Sequence, residues 1–275
     1  MNTDQVTTLA SSSQSYRLGP LHRRGSVANL YTATTADGAQ VMLKLPRKPG
    51  SNMLIEAEQA ALRDLAELAA AETWLPPYLT RLTDTLTHHD DATGAARRVS
   101  VLAPLLDGFV TLADVAAAYP DGLDPRDYAW MHRRLLRALA AVHAAGWVHG
   151  ALTPANILIH PAAHGVVLAG WSFATGAGQR LAARTSTDER LYPPEALAGE
   201  PVSGESDVYM VHALMDQLLG PAAPEPLRRF SRGCRQRSPR RRPDAAALIG
   251  EFDDLLDRLY GKRRFRPFEL PQKGR

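Results

Sequence analysis

An α+β protein with two lobes is what this sequence predicts, and three observations predict it. Between Leu18 and Leu45, short β-type runs (Leu30 to Ala33, Val41 to Leu45) flank Asp37-Gly38, a strong short-range hairpin signal. From Leu112 onward, Ala and Leu recur at periods of three and four, the spacing of helices with one buried face. Between those helical stretches, Ile157-Leu158-Ile159 and Val166-Val167-Leu168 enclose the polar turn His160 to Gly165, which reads as a short buried hairpin. Strands with one helix, more strands, and then a larger helical part describe a small antiparallel sheet lobe over a mostly helical lobe, with a crevice between them.

Taken in order, residues 1–15 are rich in Thr, Ser and Gln with little to bury, so a mobile tail is expected there. Structure is expected from Tyr16. After the first hairpin, residues 54–70 place Leu54, Ala57, Ala61, Leu62, Leu65 and Leu68 at helical spacing, with Glu56, Glu58 and Glu67 on other faces. Tyr78 to Thr87 and Arg98 to Ala103 are strand-like and are separated by the turn-rich His88 to Ala96, which predicts a further hairpin. Tyr128 to Ala145 predicts a long helix closed by Gly146. The expected organisation is a small lobe over 16–104, a large lobe over 105–262 and a basic tail over 263–275.

Composition narrows the class further. The chain has 275 residues with 32 Lys plus Arg against 29 Asp plus Glu. Residues 221–275 carry 15 of those bases and 7 of the acids, so the basic part is C-terminal. Cys234 is the single cysteine, which excludes an internal disulfide framework and a Cys-rich zinc site. No window approaches the roughly 18 apolar residues of a membrane span, and Met1 to Ser15 is polar where a signal peptide is apolar. A cytoplasmic protein with no membrane partner is expected. Arginine well above lysine and abundant alanine point to a GC-rich bacterial genome.

Residues 147–174, WVHGALTPANILIHPAAHGVVLAGWSFA, resemble the catalytic loop and metal-binding hairpin of the protein kinase superfamily, where His-Arg-Asp-Leu-x-x-x-Asn and then Asp-Phe-Gly stand. Lys44 falls where kinases of serine/threonine type carry the strand lysine, and Glu56 falls where its helix partner stands. Downstream, Tyr192-Pro193-Pro194-Glu195 resembles the end of an activation segment. Ser206-Asp207-Val208-Tyr209 resembles the start of the central helix of the large lobe. Arg242-Pro243 resembles the late Arg-Pro pair whose arginine bridges to that glutamate. The resemblance runs over residues 16–260 in order and spacing, and implies the two-lobed kinase fold with ATP and magnesium as the family's cofactors.

Phosphoryl transfer needs a lysine on the phosphates, metal ions held by a carboxylate and an asparagine, and an aspartate taking the hydroxyl proton. Here the resemblance places Ala151 at the position of the proton-accepting aspartate and Gly170 at that of the principal metal-binding aspartate. Asn156 alone remains of the metal pair. Thr153 replaces the lysine that reaches the transferred phosphate, and Gly150 the arginine that grips a phosphorylated activation segment. In the phosphate-covering turn, Arg23, Gly25 and Ala28 stand where three glycines are expected. The nucleotide-binding candidates are therefore Gly25, Lys44, Glu56 and Asn156, with Asn156 a weak metal candidate. A general base is worth about two to four powers of ten in rate, so the expected function is that of a pseudokinase: a protein-binding or regulatory scaffold with weak ATP binding. The alternatives are a weakly active or atypical serine/threonine kinase, and a nucleic-acid-associated module using the eight arginines from Arg228 to Arg242.

Other clusters carry less. His88-His89-Asp90-Asp91 contains metal-ligand types, yet strand neighbours point to opposite faces. Cys234 sits among arginines but reads as a helix packing residue. The short segment from Gly220 to Pro226 leaves little room for the helices that kinases use to dock substrates.

Overall fold

The computed structural model describes residues 7–90 and 93–271. The chain divides into two compact units: one comprises the chain up to Glu67 with Thr80–Leu106, the other Leu68–Leu79 with the chain from Asp107 onward. The expected division at residue 104 thus shifts by two residues, and the end of the small lobe's helix with the segment after it joins the helical unit.

The sheet unit is built on β1 (Thr8–Ala10), β2 (Ser15–Arg24), β3 (Ala28–Thr35), β4 (Gln40–Pro46), α1 (Asn52–Ala71), β5 (Leu82–His89) and β6 (Ala96–Leu102). All six strands form one antiparallel sheet in the order β1-β2-β3-β4-β6-β5. Gly38, at φ +87°, makes the turn between β3 and β4 that Asp37-Gly38 predicts. Leu9, Tyr16, Ala33, Leu43, Leu86, Val99 and Val101 form its buried cluster. Residues 8–10 correct the expectation of a mobile tail: they pair with β2, and Leu9 enters the core. Residues 1–6 lie outside the described residues.

A carboxylate stitches the two edges of this sheet. Asp84 Oδ2, on β5, accepts from Ser11 Oγ and Tyr16 OH, each at 2.6 Å. Edge strands expose unpaired backbone groups, and side-chain bonds from the β1–β2 segment tie one edge to the other. Burial, helped by the Asp84 charge, pushes the Tyr16 phenol up to about 12. Burial raises the Asp84 carboxyl, but hydrogen bonds from Ser11 and Tyr16 outweigh it and hold the group below its ordinary value. α1 buries Leu54, Ile55, Glu58, Ala61, Leu62 and Leu65, a stripe at three- and four-residue spacing. Gln59 Nε2 fixes the helix to β6 through Val99 O at 3.2 Å.

The helical unit contains β7 (Val110–Thr111), α2 (Leu112–Ala118), α3 (Pro125–Ala144), β8 (Trp147–Val148), β9 (Ile157–His160), β10 (Gly165–Leu168), β11 (Thr175–Gly176), α4 (Pro194–Leu197), α5 (Gly204–Leu219), α6 (Glu225–Cys234) and α7 (Ala245–Tyr260). α3 begins as its sequence dictates: Asp124 caps the amide of Arg126, Pro125 takes the first position where no N–H is needed, and Gly146 at φ +78° follows the end. β9 and β10 are the predicted apolar hairpin, with β7 against β9. α5 buries Val208, Val211, Leu214, Met215 and Leu218 and is the core of the unit. Cys234 is buried, and burial pushes its thiol up to about 12, so it packs rather than reacts.

Two histidines sit at the centre of that core. His212 Nδ1 donates to Val208 O at 2.7 Å, which leaves its Nε2 to accept from His132 Nε2 at 3.3 Å. His132 Nδ1 then accepts from Tyr128 OH at 3.3 Å. Each ring is neutral with one donor and one acceptor used, the arrangement a buried imidazole requires. Of the expected basic tail, residues 263–271 lie against this unit: Phe268 is buried and Arg266 pairs with Asp124 and Asp127. Residues 272–275 lie outside the described residues.

Candidate functional site

In the sheet unit, Lys44 lies on β4 opposite Leu30 on one side and Ser100 on the other. Its ammonium pairs with Glu58, not with Glu56. Glu56 lies about 200° further round α1 and pairs with Arg98, both half-exposed at 51%. Helical arithmetic contains the signal: Glu58 shares its face with Leu54, Ile55, Leu62 and Leu65, three, four and seven residues away. A carboxylate on the apolar stripe needs a cation. The Glu58 side chain is 2% and the Lys44 side chain 14% exposed, so the pair is largely desolvated. Removing one partner would take from the other an ion pair formed in a largely desolvated setting.

Gly25 is held by its own turn. Its N–H donates to Ala28 O at 3.0 Å, and a Cβ there would press on the same carbonyl. That is the requirement of a tight β2–β3 turn, so the glycine is explained without a phosphate. Arg47 Nη1 reaches Gly25 O at 3.4 Å.

In the helical unit, the loop of residues 149–156 is organised by Asp207 at the start of α5. Its carboxylate accepts from the His149 amide at 2.7 Å, the Gly150 amide at 3.0 Å and His143 Nε2 at 3.0 Å. His149 Nε2 bonds Ala169 O at 3.0 Å and packs on Trp171, whose own Nε1 donates to Leu168 O at 2.9 Å. Gly150 has φ +70°, and a Cβ would meet Phe173 O and Leu181 at 2.7 Å. The backbone therefore leaves no room at that position for the arginine that kinases carry.

Ala151 is fully buried. Asn156 Nδ2 donates to Ala151 O at 3.0 Å, and this turns the carboxamide over Gly170. Gly170 is left-handed at φ +77°, and a Cβ there would overlap the Asn156 carboxamide. Thr153, also buried, places no charge in the loop. The residues present do not fit the magnesium that the resemblance implies: Gly170 offers no carboxylate, and of the metal pair only the single carboxamide oxygen of Asn156 is left. Among the described residues, no group of three His, Cys, Asp or Glu side chains is placed to hold a metal ion. In the His88–Asp90 stretch, Asp90 pairs with Arg97 at 2.8 Å, and Asp91 lies outside the described residues.

The predicted scaffold contacts are present. Arg242 grips Glu195 with both terminal nitrogens, at 2.6 and 2.9 Å. Its other donors reach Gln236 O, Glu205 O and Arg237 O. Burial raises the Glu195 carboxyl, but the Arg242 hydrogen bond dominates the opposing effects, and the group stays below its ordinary value. The segment before it is fixed by backbone: Ala177 N donates to Gly146 O, Gly178 N to Val202 O and Val202 N to Gln179 O, all at 2.8 Å. That hold needs no phosphate, in keeping with a glycine rather than an arginine at position 150.

Of the arginines from 228 to 242, Arg228 and Arg232 pair with Glu225, Arg235 with Asp216 and Arg242 with Glu195. Arg229, Arg237, Arg240 and Arg241 are exposed. Half of the run is thus structural.

No known protein family matches the sequence, and no curated protein does. Solved structures do match. A structure of vaccinia related kinase 3 aligns over 92% of this chain and 90% of its own, at 20% identity and a TM-score of 0.74. The BubR1 kinase domain aligns over 92% of this chain and 83% of its own, at 16% identity and a TM-score of 0.67. At such identities the likeness speaks to architecture, and on that level it is decisive: the chain has a protein kinase-like fold.

Proposed function

We propose that this chain is a pseudokinase that works by binding a protein partner, with ATP as a weak ligand at most and magnesium as none. The observation that carries the reading is the closure of Asn156 over Gly170, beside an Ala151 that offers only a methyl group. Without a base or a metal-binding carboxylate, the two largest contributions to phosphoryl transfer are missing from the loop that would supply them. The Lys44–Glu58 pair supports a retained phosphate-facing lysine and equally a helix fixed to its sheet. Both roles suit a scaffold.

Thermal melting tests the ligand side. ATP with magnesium and ATP with chelator are expected to give the same small rise in Tm, lost in Lys44→Ala. A rise that requires magnesium contradicts the proposal.

A further inference from the structure

Segment 262–271, which follows α7, has neither helix nor strand, yet it is seated on one face of the helical unit. Phe268 is 4% exposed, with its ring 6.0 Å from Tyr119 at 27° and 6.2 Å from Trp130 at 61°. The Arg266 guanidinium reaches Asp124 at 3.3 Å and Asp127 at 3.2 Å. Tyr119 OH donates to Glu269 O at 2.8 Å. Phe265 stacks on His164, which itself stacks on Trp130 at 4.3 Å and 7°.

We infer that this face, formed by Tyr119, Asp124, Asp127, Trp130 and His164, is a docking groove for a partner polypeptide carrying an arginine followed two residues later by a phenylalanine. The chain's own Arg266-Pro267-Phe268 occupies it in cis.

Three features favour an exchangeable occupant over a fixed part of the core. The hold is side-chain recognition of the kind linear peptides use: an aromatic anchor among rings and a guanidinium on two carboxylates. It is also incomplete, because Phe265 remains 74% exposed while Trp130 Nε1 and His164 Nε2 are buried with no hydrogen-bond partner among the described residues. A tethered segment keeps its place through high local concentration, so a free segment with better contacts can displace it. This inference deepens the reading of the chain as a binding protein by naming the partner's chemistry, and a result against the groove leaves the absence of transferase chemistry to be judged on its own assay.

The test is anisotropy of a labelled peptide with the sequence of residues 262–271, titrated with the full chain and with two variants. Phe268→Ala vacates the anchor. Arg266→Ala frees the carboxylates while replacing a half-exposed side chain, so it decides the matter even if the first variant unfolds by circular dichroism. Binding is expected to tighten by about tenfold in Phe268→Ala and several-fold in Arg266→Ala, relative to the natural chain. A peptide with alanine in place of its second phenylalanine is expected to bind neither. Equal affinity for all three chains, or no binding to either folded variant, overturns the inference. A mass of two chains for the natural protein by light scattering that falls to one chain in Arg266→Ala assigns the groove to a second copy and overturns the partner assignment.

Discussion

The side chain of Asn156 fills the space that a Cβ at Gly170 would need, and its amide is committed to the carbonyl of Ala151. Two degenerate positions and the one surviving motif residue are thus mutually adapted: the glycine admits the asparagine, and the asparagine ties down the loop carrying the alanine. Restoring one aspartate does not restore a metal site, because the space has been taken.

Gly170→Asp is expected to destabilise the chain. The residue would have to hold φ near +77° and displace Asn156, each at a cost of about 1–3 kcal/mol. Ala151→Asp would place a carboxylate at a fully buried position and cost several kcal/mol more. Denaturant unfolding of the single and double variants checks this; a double variant as stable as the natural chain speaks against the packing described.

Glu58 and Glu56 separate a buried pair from an exposed one. Glu58→Ala removes the carboxylate that pairs with Lys44 in a largely desolvated setting and is expected to cost about 3–5 kcal/mol. Glu56→Ala, which loses only its half-exposed contact with Arg98, is expected to stay within about 1 kcal/mol. The two unfolding midpoints, measured side by side, decide which glutamate belongs to the strand lysine.

Stability is expected to fall with acid before the carboxylates titrate. Burial lowers His212 to about 4 and holds His132 well below its ordinary value near 6.5. Below about pH 6.5 the unfolded chain takes up protons that the folded chain refuses, so stability is full above that pH and declines as the pH drops towards 4. The slope is about 1.4 kcal/mol per pH unit for each histidine. Tm between pH 7 and pH 5 should drop in the natural chain and drop about half as steeply in His132→Phe. A flat profile contradicts the neutral chain from Tyr128 through both rings to Val208.

Nucleic-acid binding through the arginine run is expected to be absent or weak. Four of its eight side chains serve Glu225, Asp216 and Glu195. Filter binding over a salt series should show no tight, steeply salt-dependent complex; a log–log slope of several units would argue for phosphate contacts.

The fold can be read from residues wherever local chemistry is strong. Asp37-Gly38 makes its turn, Asp124-Pro125 starts α3, and Ile157–Leu168 pairs as a hairpin. Composition misleads at the N-terminus, where a polar segment becomes an edge strand because one leucine finds the core and serines find Asp84. Glu56 is not the partner of Lys44, because counting along the chain ignores the helix face, which Leu54, Leu62 and Leu65 assign to Glu58. Ala151 and Gly170 stand out as missing aspartates, but no one-dimensional pattern conveys that Asn156 closes over the gap. Nor does it convey that Arg266 and Phe268 return to α3, since that contact spans more than a hundred residues.

Whether the chain transfers phosphate is settled by incubating the natural protein with γ-labelled ATP and either magnesium or manganese, following label into the chain, into added protein substrates and into free phosphate. No transfer above a chain-free control is expected. Metal-dependent transfer of label by the natural protein above that control would contradict the reading of the chain as a pseudokinase.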